Sequence, residues 1–535
     1  MTPLLLGATA LAGSLSLDLS ADRGPISGGT LADGALVLGD EEARLDLAAL
    51  TSAEGTLRLV VEEGSFELGL GAASWKADYR AGGGITLGEG SLPFPHGHRL
   101  WQVREEPVIE LGADYWETGG MLHADLLVYE GAWWLFWSGI MSPGYGYRQV
   151  GLATSTDTVR WTRHADNPVI TIDYGAGYDG VHNHMPTVTV DDDGGLQMHL
   201  ACYQNNVGNR ICGAESEDGL SWTKQGVLLD LGASGDFDED SLRCPEVIRT
   251  EDGGWHMLYY GTVGDEHYGP TGYATSADGL SWTKHGAFTD KAGRLECPGL
   301  VQTPYGIEGW HNCADALCYI RSDGDMTIWE LETTPDIVKD WAPWSSGYVQ
   351  GPSIVLDGNT YTMVFNAYSY DTGLERLAWA ETEPAPGAEL ELGFTWDGER
   401  LSVAMDDGPA LEAVVAEAEG LVFGAEGRVR LLSLELSWEE ASSGDGGGTD
   451  GGATDGGAGD GGTDGGSADG GTDGGSADGG TDGGSADGGT GGADGGTGGA
   501  DPDGEPKGGC GCQAGGAASL LALLPGLLLA GRRRR

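Results

Sequence analysis

The sequence predicts an all-β protein built around a five-bladed β-propeller. Two patterns recur about every 50 residues between residues 108 and 383, and a repeat of that length is typical of propeller blades. The flanking segments alternate apolar and polar residues with the period of half-buried strands. No segment of useful length between the repeats shows the period of a helix. Because a propeller places the first strand of each blade around a central channel, the repeats predict a ring of equivalent side chains.

The first recurring pattern is an outer hairpin, in which an Asp-containing turn is followed by Trp and a basic residue. It occurs in GLATSTDTVRWTRH (151–164), GAESEDGLSWTKQG (213–226) and GYATSADGLSWTKHG (272–286). The second pattern begins with Pro and alternating apolar residues and continues through a Gly turn to an aromatic strand. It occurs over residues 185–203, 244–261, 297–313 and 351–368, and without the proline over 126–139. Five copies predict five blades, which we assign to residues 96–385.

The flanks of the propeller are also predicted to be β. Residues 15–95 and 386–440 each alternate like strands, but each is small for an independent sandwich. Together they resemble the front and back of a concanavalin-like jelly-roll β-sandwich into which the propeller is inserted. Two separate small β domains remain the alternative.

The C-terminal part has the composition of a linker and a sorting tail. Residues 441–508 are almost all Gly, Asp, Thr and Ser, which predicts a disordered acidic stalk. Residues 509–535 contain Cys510 and Cys512, a short hydrophobic segment and four arginines, an order that resembles the MYXO-CTERM tail of myxobacterial surface proteins. The resemblance implies export, membrane attachment through the tail and a cell-surface or outer-membrane location.

The N-terminus and the overall charge bear on the partners. Residues 1–14 are similar to a signal peptide without its positively charged start, and a buried first strand is the alternative. The net charge of -55 and the absence of a basic patch before the last four residues argue against a nucleic-acid partner. We expect a monomer.

Alignment on the repeated proline predicts the ring around the channel. His184, Arg243, Glu296 and Gln350 lie two residues before it, and His123 is the nearest match in the first copy. All five are polar, which predicts a wet funnel that binds a ligand. The aromatic candidates for stacking on a sugar are Trp134, Trp116, Trp133 and Trp137. Most tryptophans in repeated strands belong to the blade core, and this alternative stays open.

The hairpins and the tripeptide Glu296-Cys297-Pro298 resemble the glycoside hydrolase superfamily of families 43 and 32, which includes arabinanases, levansucrases and invertases. In the invertase-like branch the Glu of this motif is the general acid, so the resemblance implies that role for Glu296. It also implies two aspartates, for which Asp179 and either Asp238 or Asp240 are the nearest candidates. The Asn-Asp-Pro and Arg-Asp-Pro motifs of invertases are absent, and Glu296 falls in the fourth copy.

A structural role for the aspartates is the alternative. Tyr178-Asp179 and Phe237-Asp238 each lie five residues before a ring position, where an Asp can cap a turn. His182, His184 and His123 have no spacing typical of a zinc site, so we predict no metal or cofactor, with a structural calcium ion near the channel left open.

The cysteines indicate disulfides in an oxidising compartment. Cys202 with Cys212, and Cys313 with Cys318, flank hairpin turns. Cys244 and Cys297 occupy equivalent places in adjacent blades, and the sequence leaves their pairing open.

These observations predict an exported, cell-surface glycoside hydrolase that acts on poly- or oligosaccharides by carboxylate acid and base chemistry. The catalytic candidates are Glu296, Asp179 and Asp240. A non-catalytic carbohydrate-binding or adhesion protein on the same fold is the alternative. The two differ in whether further carboxylates face Glu296 across the channel.

Overall fold

The computed structural model describes residues 12–440, apart from 48–49, 142–145, 206, 251–252, 265–268, 289–294 and 419. Apart from one short 3-10 helix, His96–His98, the regular elements of this part of the chain are β-strands. The described residues lie in one compact unit. Among them, no helix has the length and apolar character needed to cross a membrane. The linker, the sorting tail and residues 1–11 of the signal-peptide-like start lie outside the described residues.

The first flank contains eight strands. They are β1 (Ala12–Asp18), β2 (Thr30–Ala32), β3 (Ala35–Gly39), β4 (Glu42–Asp46), β5 (Leu50–Leu70), β6 (Ala73–Asp78), β7 (Ile85–Leu87) and β8 (Gly90–Leu92). Strand β9 (Arg99–Val103) follows and belongs to the propeller.

The five blades come next in the chain. Blade 1 contains β10 (Gly120–Tyr129), β11 (Ala132–Ile140), β12 (Arg148–Ser155) and β13 (Thr162–Arg163). Blade 2 contains β14 (His182–Val190), β15 (Leu196–Gln204), β16 (Gly208–Ser216) and β17 (Thr223–Leu229). Blade 3 contains β18 (Ser241–Arg249), β19 (Trp255–Thr262), β20 (Thr271–Ser276) and β21 (Trp282–Ala287). Blade 4 contains β22 (Glu296–Thr303), β23 (Gly306–Cys313), β24 (Ala316–Ser322) and β25 (Glu330–Ile337). Blade 5 contains β26 (Val349–Asp357), β27 (Thr360–Ser369) and β28 (Leu374–Pro384).

Blade 5 takes its outer strand from the other end of the propeller sequence. Strand β9 pairs antiparallel with β28, which joins the beginning and the end of the ring. Blades 1 and 2 are joined by a single parallel pair, Arg148 with His182. The predicted five-bladed propeller is therefore confirmed.

The second flank contains β29 (Glu389–Trp396), β30 (Arg400–Met405), β31 (Leu411–Val414) and β32 (Gly420–Glu440). It shares one twelve-stranded sheet with the first flank, because β5 pairs with both β29 and β32. Burial alternates strictly along β29, so one face of the sheet is apolar and must fold over a core. Phe66 and Trp75 from the first flank pack in that core with Trp396 and Phe423 from the second. The propeller is thus inserted between the two halves of one β-sandwich.

The outer hairpins repeat because their turns are stabilised locally. In blades 1 to 3 the Asp side chain of the turn accepts the backbone N–H of the residue three positions later. The Trp indole that follows donates to a carbonyl of the same turn. This is the Asx-turn chemistry that Asp favours, and it accounts for the recurring Asp and Trp.

Candidate active site

The mouth of the channel is formed by the first residues of the inner strands, and each of these strands has a β-bulge at the same place. The register shifts after Leu122, His184, Arg243, Glu296 and Gln350. The next residue in each strand has a left-handed backbone conformation, with φ between 42° and 61° at His123, Met185, Cys244, Cys297 and Gly351. A bulge of this kind re-aims the side chains beside it, so the five positions before the bulge form the ring.

The structure corrects the ring position in the first blade. Leu122 lies at the place of Glu296 and Arg243, whereas His123 lies one residue later, at the place of the cysteines. The sequence alignment failed here because blade 1 has Ala124 where the other blades have proline. The ring therefore contains one apolar member.

The predicted wet funnel does not continue along the whole channel. Below the ring, a disulfide between Cys244 and Cys297 lies beside Met185, whose sulfur is 3.7 Å from the sulfur of Cys244. His123 lines the same space, and the cavity that remains has a volume of about 30 Å³. Such a volume holds one or two water molecules. A ligand at the mouth would therefore rest on this layer.

Glu296 is the first residue of β22 and lies at the mouth, where it is half-buried and paired in register with Asn312. Arg243 and Gln350, at the equivalent positions of blades 3 and 5, are also half-buried. The structure thus brings three of the predicted ring residues to the rim of the channel with part of each side chain exposed.

His184 lies behind the rim and is fully buried. Its Nε2 donates to Asn209 Oδ1 at 3.1 Å, and Asn209 Nδ2 donates to Ser241 Oγ at 3.1 Å. Arg243 Nε donates to the same Ser241 Oγ at 3.1 Å. His184 is therefore connected to Arg243 only through Asn209 and Ser241, and its side chain is not exposed at the mouth.

Two arginines and three histidines give the mouth its electrostatics. Burial, together with the charge of Arg148, lowers the pKa of His123 to about 3. Burial lowers the pKa of His182 to about 3 as well, with further contributions from Arg148 and Arg243. Burial, together with Arg148 and the neighbouring His182 and His123, holds the pKa of His184 well below its ordinary value. At neutral pH the histidines are uncharged and the arginines carry the positive charge.

Asp179 lies in a structural ion pair. It is fully buried, and its Oδ2 accepts Lys224 Nζ at 2.5 Å and Asn183 Nδ2 at 3.0 Å. Asp238 has the same arrangement in blade 3, where its Oδ2 accepts Lys284 Nζ at 2.6 Å. The two lysines come from the repeated Trp-Thr-Lys of the outer hairpins. This repetition favours the structural alternative for both aspartates.

Asp240 is exposed and immediately precedes Ser241, the residue that holds Arg243. Its carboxylate accepts the backbone N–H of Gly264. Among the predicted aspartates it is the one with solvent access beside the mouth.

Trp134 is not available for stacking on a sugar, and this prediction is corrected. It lies on β11 opposite Leu127, towards the end of the blade away from the mouth. Only 8% of it is exposed, it packs against Phe136, and its indole donates to the carbonyl of Tyr129. Trp134 is core, as most tryptophans in repeated strands are.

The structure contains both disulfides predicted from the hairpins, Cys202–Cys212 and Cys313–Cys318. It also joins Cys244 to Cys297 across blades 3 and 4, a pairing that the sequence left open. His123 and these two sulfurs lie within 4.8 Å of one another. With the sulfurs oxidised to a disulfide they are not thiolate ligands, so this cluster does not hold a metal in the state described.

Sequence reasoning missed a pair of carboxyl groups in the channel. Asp125 Oδ2 accepts the backbone N–H of Val188 at 2.8 Å, and Glu246 Oε1 accepts that of Leu300 at 2.8 Å. Each thus connects its own blade to the next. Burial raises the pKa of Asp125 to about 7 and, together with the charge of Asp125, raises that of Glu246 well above its ordinary value. The sequence feature that could have revealed them is their shared position: Asp125 and Glu246 each lie three residues after the ring residue of their blade.

Arg148 was also missed by the sequence analysis. It begins β12 and is paired across the blade boundary with His182. No repeat marks it, because only the assembled ring brings β12 next to β14.

Solved structures resemble the chain at low identity. A glycosyl hydrolase from Bacteroides ovatus is 17% identical with a TM-score of 0.41, and covers 56% of this chain and 96% of its own. A family 117 glycoside hydrolase of Zobellia galactanivorans is 12% identical with a TM-score of 0.42, and covers 54% and 91%. Fructan 1-exohydrolase IIa from Cichorium intybus is 12% identical with a TM-score of 0.40, and covers 63% and 98%. At such values these proteins say nothing about the substrate of this chain.

None of the curated proteins matches the sequence significantly. A family model does match, however: residues 124–316 correspond to the glycosyl hydrolases family 32 N-terminal domain. This segment begins in β10 and includes Glu296-Cys297-Pro298. The resemblance of the propeller to the family 32 branch of the glycoside hydrolases, predicted from the sequence, is therefore confirmed.

Proposed function

We propose that the chain is an exported, cell-surface glycoside hydrolase in which Glu296 protonates the leaving sugar oxygen. The observation that carries this proposal is the position of Glu296, which lies half-buried at the rim of the channel within the segment that matches family 32. A half-buried carboxyl group at a concave mouth can reach a bound sugar and exchange its proton with water between turnovers.

We assign the second carboxylate role, base or nucleophile, to Asp240. Asp240 has solvent access in blade 3, next to the blade of Glu296, whereas the carboxylates of Asp179 and Asp238 each accept a lysine. An ion-paired buried carboxylate is a poor base, because taking up a proton would leave its lysine without a counter-charge.

The first prediction tests Glu296. Glu296→Gln keeps the shape of the side chain but has no proton to donate, so turnover of a natural glycan should fall about 10²- to 10⁴-fold while binding persists. Substrates with good leaving groups should be affected less, because they need little protonation. The measurement is a hydrolysis screen of the full chain against glycans and aryl glycosides, with exposed Glu217→Gln as the matched control. Equal turnover by folded Glu296→Gln and the unmodified protein would refute the acid role.

A second candidate function is a surface protein that binds glycan without cleaving it. The composition of the ring favours this candidate. Of the five ring residues in the described strands only Glu296 has a carboxylate, and the other four are Leu122, His184, Arg243 and Gln350. Binding without hydrolysis, unchanged by Asp240→Asn, would support this candidate.

Export, attachment through the tail and a monomeric state belong to the same proposal. The order of Cys box, hydrophobic segment and arginines supports the location, and the three disulfides are consistent with an oxidising compartment.

A further inference from the structure

Two arginines at the mouth lack the acidic partners that other buried arginines in this protein have. Arg148 is only 7% exposed and its Nε has no hydrogen-bond partner. Arg243 bonds to Ser241 through Nε. In the part of the chain that the structure describes, neither has a carboxylate within 4 Å. By contrast, buried Arg99 is 2.5 Å from Glu308, and Arg163 is 2.7 Å from buried Glu117.

Both arginines act electrostatically on one histidine, His182. The charges of Arg148 and Arg243 both lower its pKa. Arg148 also pairs with His182 in the parallel bridge between blades 1 and 2, and His182 stacks on Tyr203 with ring centroids 5.3 Å apart. His182 is mostly buried, and its Nδ1 has no partner. Blades 1, 2 and 3 thus bring unused hydrogen-bond donors and positive charge to one place.

An uncompensated guanidinium that is removed from water is costly, and the cost falls when an anion binds it. The planar fork of Arg matches the oxygens of a carboxylate or sulfate group and binds them by charge-assisted hydrogen bonds. The Nδ1 of His182, which has no partner in the protein, could donate a third bond to such an anion as a neutral imidazole.

We propose that Arg148, Arg243 and His182 form a subsite for an oxyanion carried by the glycan, so that the substrate is an acidic sugar such as a uronate or a sulfated residue. Arg243 and Glu296 hold equivalent ring positions in neighbouring blades, which places this subsite beside the proposed acid. This inference rests on the proposed function.

The large negative charge of the chain does not oppose this assignment. At roughly 0.1 M salt, exposed charges more than about 10 Å apart are largely screened, so the acidic residues elsewhere in the chain act only weakly on a ligand at the mouth. The local arginines, being partly buried, are screened much less. The subsite would therefore select for an acidic group at short range.

The test is glycan binding by the full chain carrying Glu296→Gln, which removes turnover from the measurement. The probes are an array of uronate-containing, sulfated and neutral glycans, with sodium sulfate and sodium phosphate as free ions. We expect the acidic glycans to be preferred and to bind more weakly as salt is raised. Adding Arg243→Gln or Arg148→Gln should weaken that binding about tenfold or more, the loss expected for a charge-assisted hydrogen bond.

Arg160→Gln, on the exposed outer hairpin of blade 1, is the matched control and should bind as before. Because Arg148 is buried, thermal melting accompanies each variant, and half-buried Arg243 gives the readout if Arg148→Gln does not fold. The proposal would be overturned if the protein preferred neutral glycans or if Arg243→Gln left the binding of acidic glycans unaffected. It would also be overturned if no glycan bound, or if only free phosphate or sulfate bound. Hydrolysis of neutral glycans with normal rates in the Arg243→Gln variant would overturn the subsite and leave the proposed function standing. If the unmodified chain bound acidic glycans without hydrolysing them, the subsite would stand and the proposed hydrolase function would be overturned.

Discussion

Asp125 and Glu246 connect the inner strands of neighbouring blades, and their carboxyl groups titrate unusually. Asp125 is buried between the backbone N–H of Val188 and the hydroxyl of Ser353, with its Oδ1 2.8 Å from Ser353 Oγ. Burial raises its pKa from 3.8 to about 7. The folded protein therefore holds a proton that the unfolded chain releases above about pH 4.

This shift gives a pH prediction with a definite sign. The contribution of Asp125 to stability is fully present below about pH 4 and is lost as the pH rises towards 7, because the unfolded state then binds fewer protons. Asp125→Asn has no proton to lose, so the free energy of unfolding of this variant should fall less steeply between pH 4 and 7. The difference between the falls of the two proteins should reach up to about 4 kcal/mol at neutral pH. Urea unfolding between pH 4 and 7 measures the difference, and Glu246→Gln should act in the same direction. Parallel curves for Asp125→Asn and the unmodified protein would contradict the assignment.

At the scale of the element, each of the first three blades is tied by one acid and one base. The basic residue of the outer hairpin binds a buried acid in the loop before the inner strand and a carbonyl earlier in that loop. The pairs are Arg163 with Glu117, Lys224 with Asp179 and Lys284 with Asp238. Lys224 also donates to the carbonyl of Thr171, and Lys284 to that of Asp230. In each of these blades the ion pair thus connects the outer hairpin to the loop before the inner strand.

This contact separates a structural from a catalytic role for Asp179. Lys224→Met leaves a buried carboxylate without its counter-charge and should lower the free energy of unfolding by about 3 kcal/mol. The double variant Asp179→Asn with Lys224→Met should recover part of that loss, since no charge is then left buried. Chemical denaturation of the four proteins measures the cycle, and Asp238 with Lys284 provides the matched pair in blade 3. Unchanged stability of Asp179→Asn together with lost turnover would instead indicate catalysis.

For the whole molecule, strand β9 unites the sandwich and the propeller. Arg99 begins β9, its guanidinium lies 3.6 Å from the ring centroid of Tyr361 in blade 5, and it pairs with Glu308 in blade 4. On the sandwich side, the 3-10 helix residue His98 lies between Tyr79, at 2.8 Å, and Asp406, at 2.7 Å. The strand that closes the ring therefore also anchors it to both halves of the sandwich.

The proposed location gives a prediction for the complete chain. If residues 509–535 hold the protein at the surface, deleting them should release a folded protein into the medium, because the apolar segment and the arginines are then gone. Fractionation of cells, with the full chain as control, measures the distribution. Retention of both forms in the cytoplasm would contradict export.

The sequence by itself determined the features that depend on local chemistry. The outer hairpins of blades 1 to 3 were recognisable because each Asp and Trp is satisfied within its own hairpin. The number of blades followed from the five copies of the second pattern, the strand pair with a Gly turn. The Cys202–Cys212 and Cys313–Cys318 pairs followed in the same way, because each joins neighbouring strands of one hairpin. The Glu-Cys-Pro tripeptide identified the blade that carries the proposed acid.

Only the tertiary structure decided what depends on closing the ring. The Cys244–Cys297 bond, the channel carboxyls and the group of Arg148, His182 and Arg243 each join different blades, and no spacing along the chain encodes such a meeting. The first-blade position was misassigned for a related reason: a bulge shifts the register by one residue, and without a proline the sequence does not show where it falls. Tertiary structure also distinguished Asp179, held by a lysine from the outer hairpin of its blade, from Asp240 in solvent. Charge pairing in a propeller is set by how the strands of a blade and neighbouring blades pack, and residue order alone does not fix that packing.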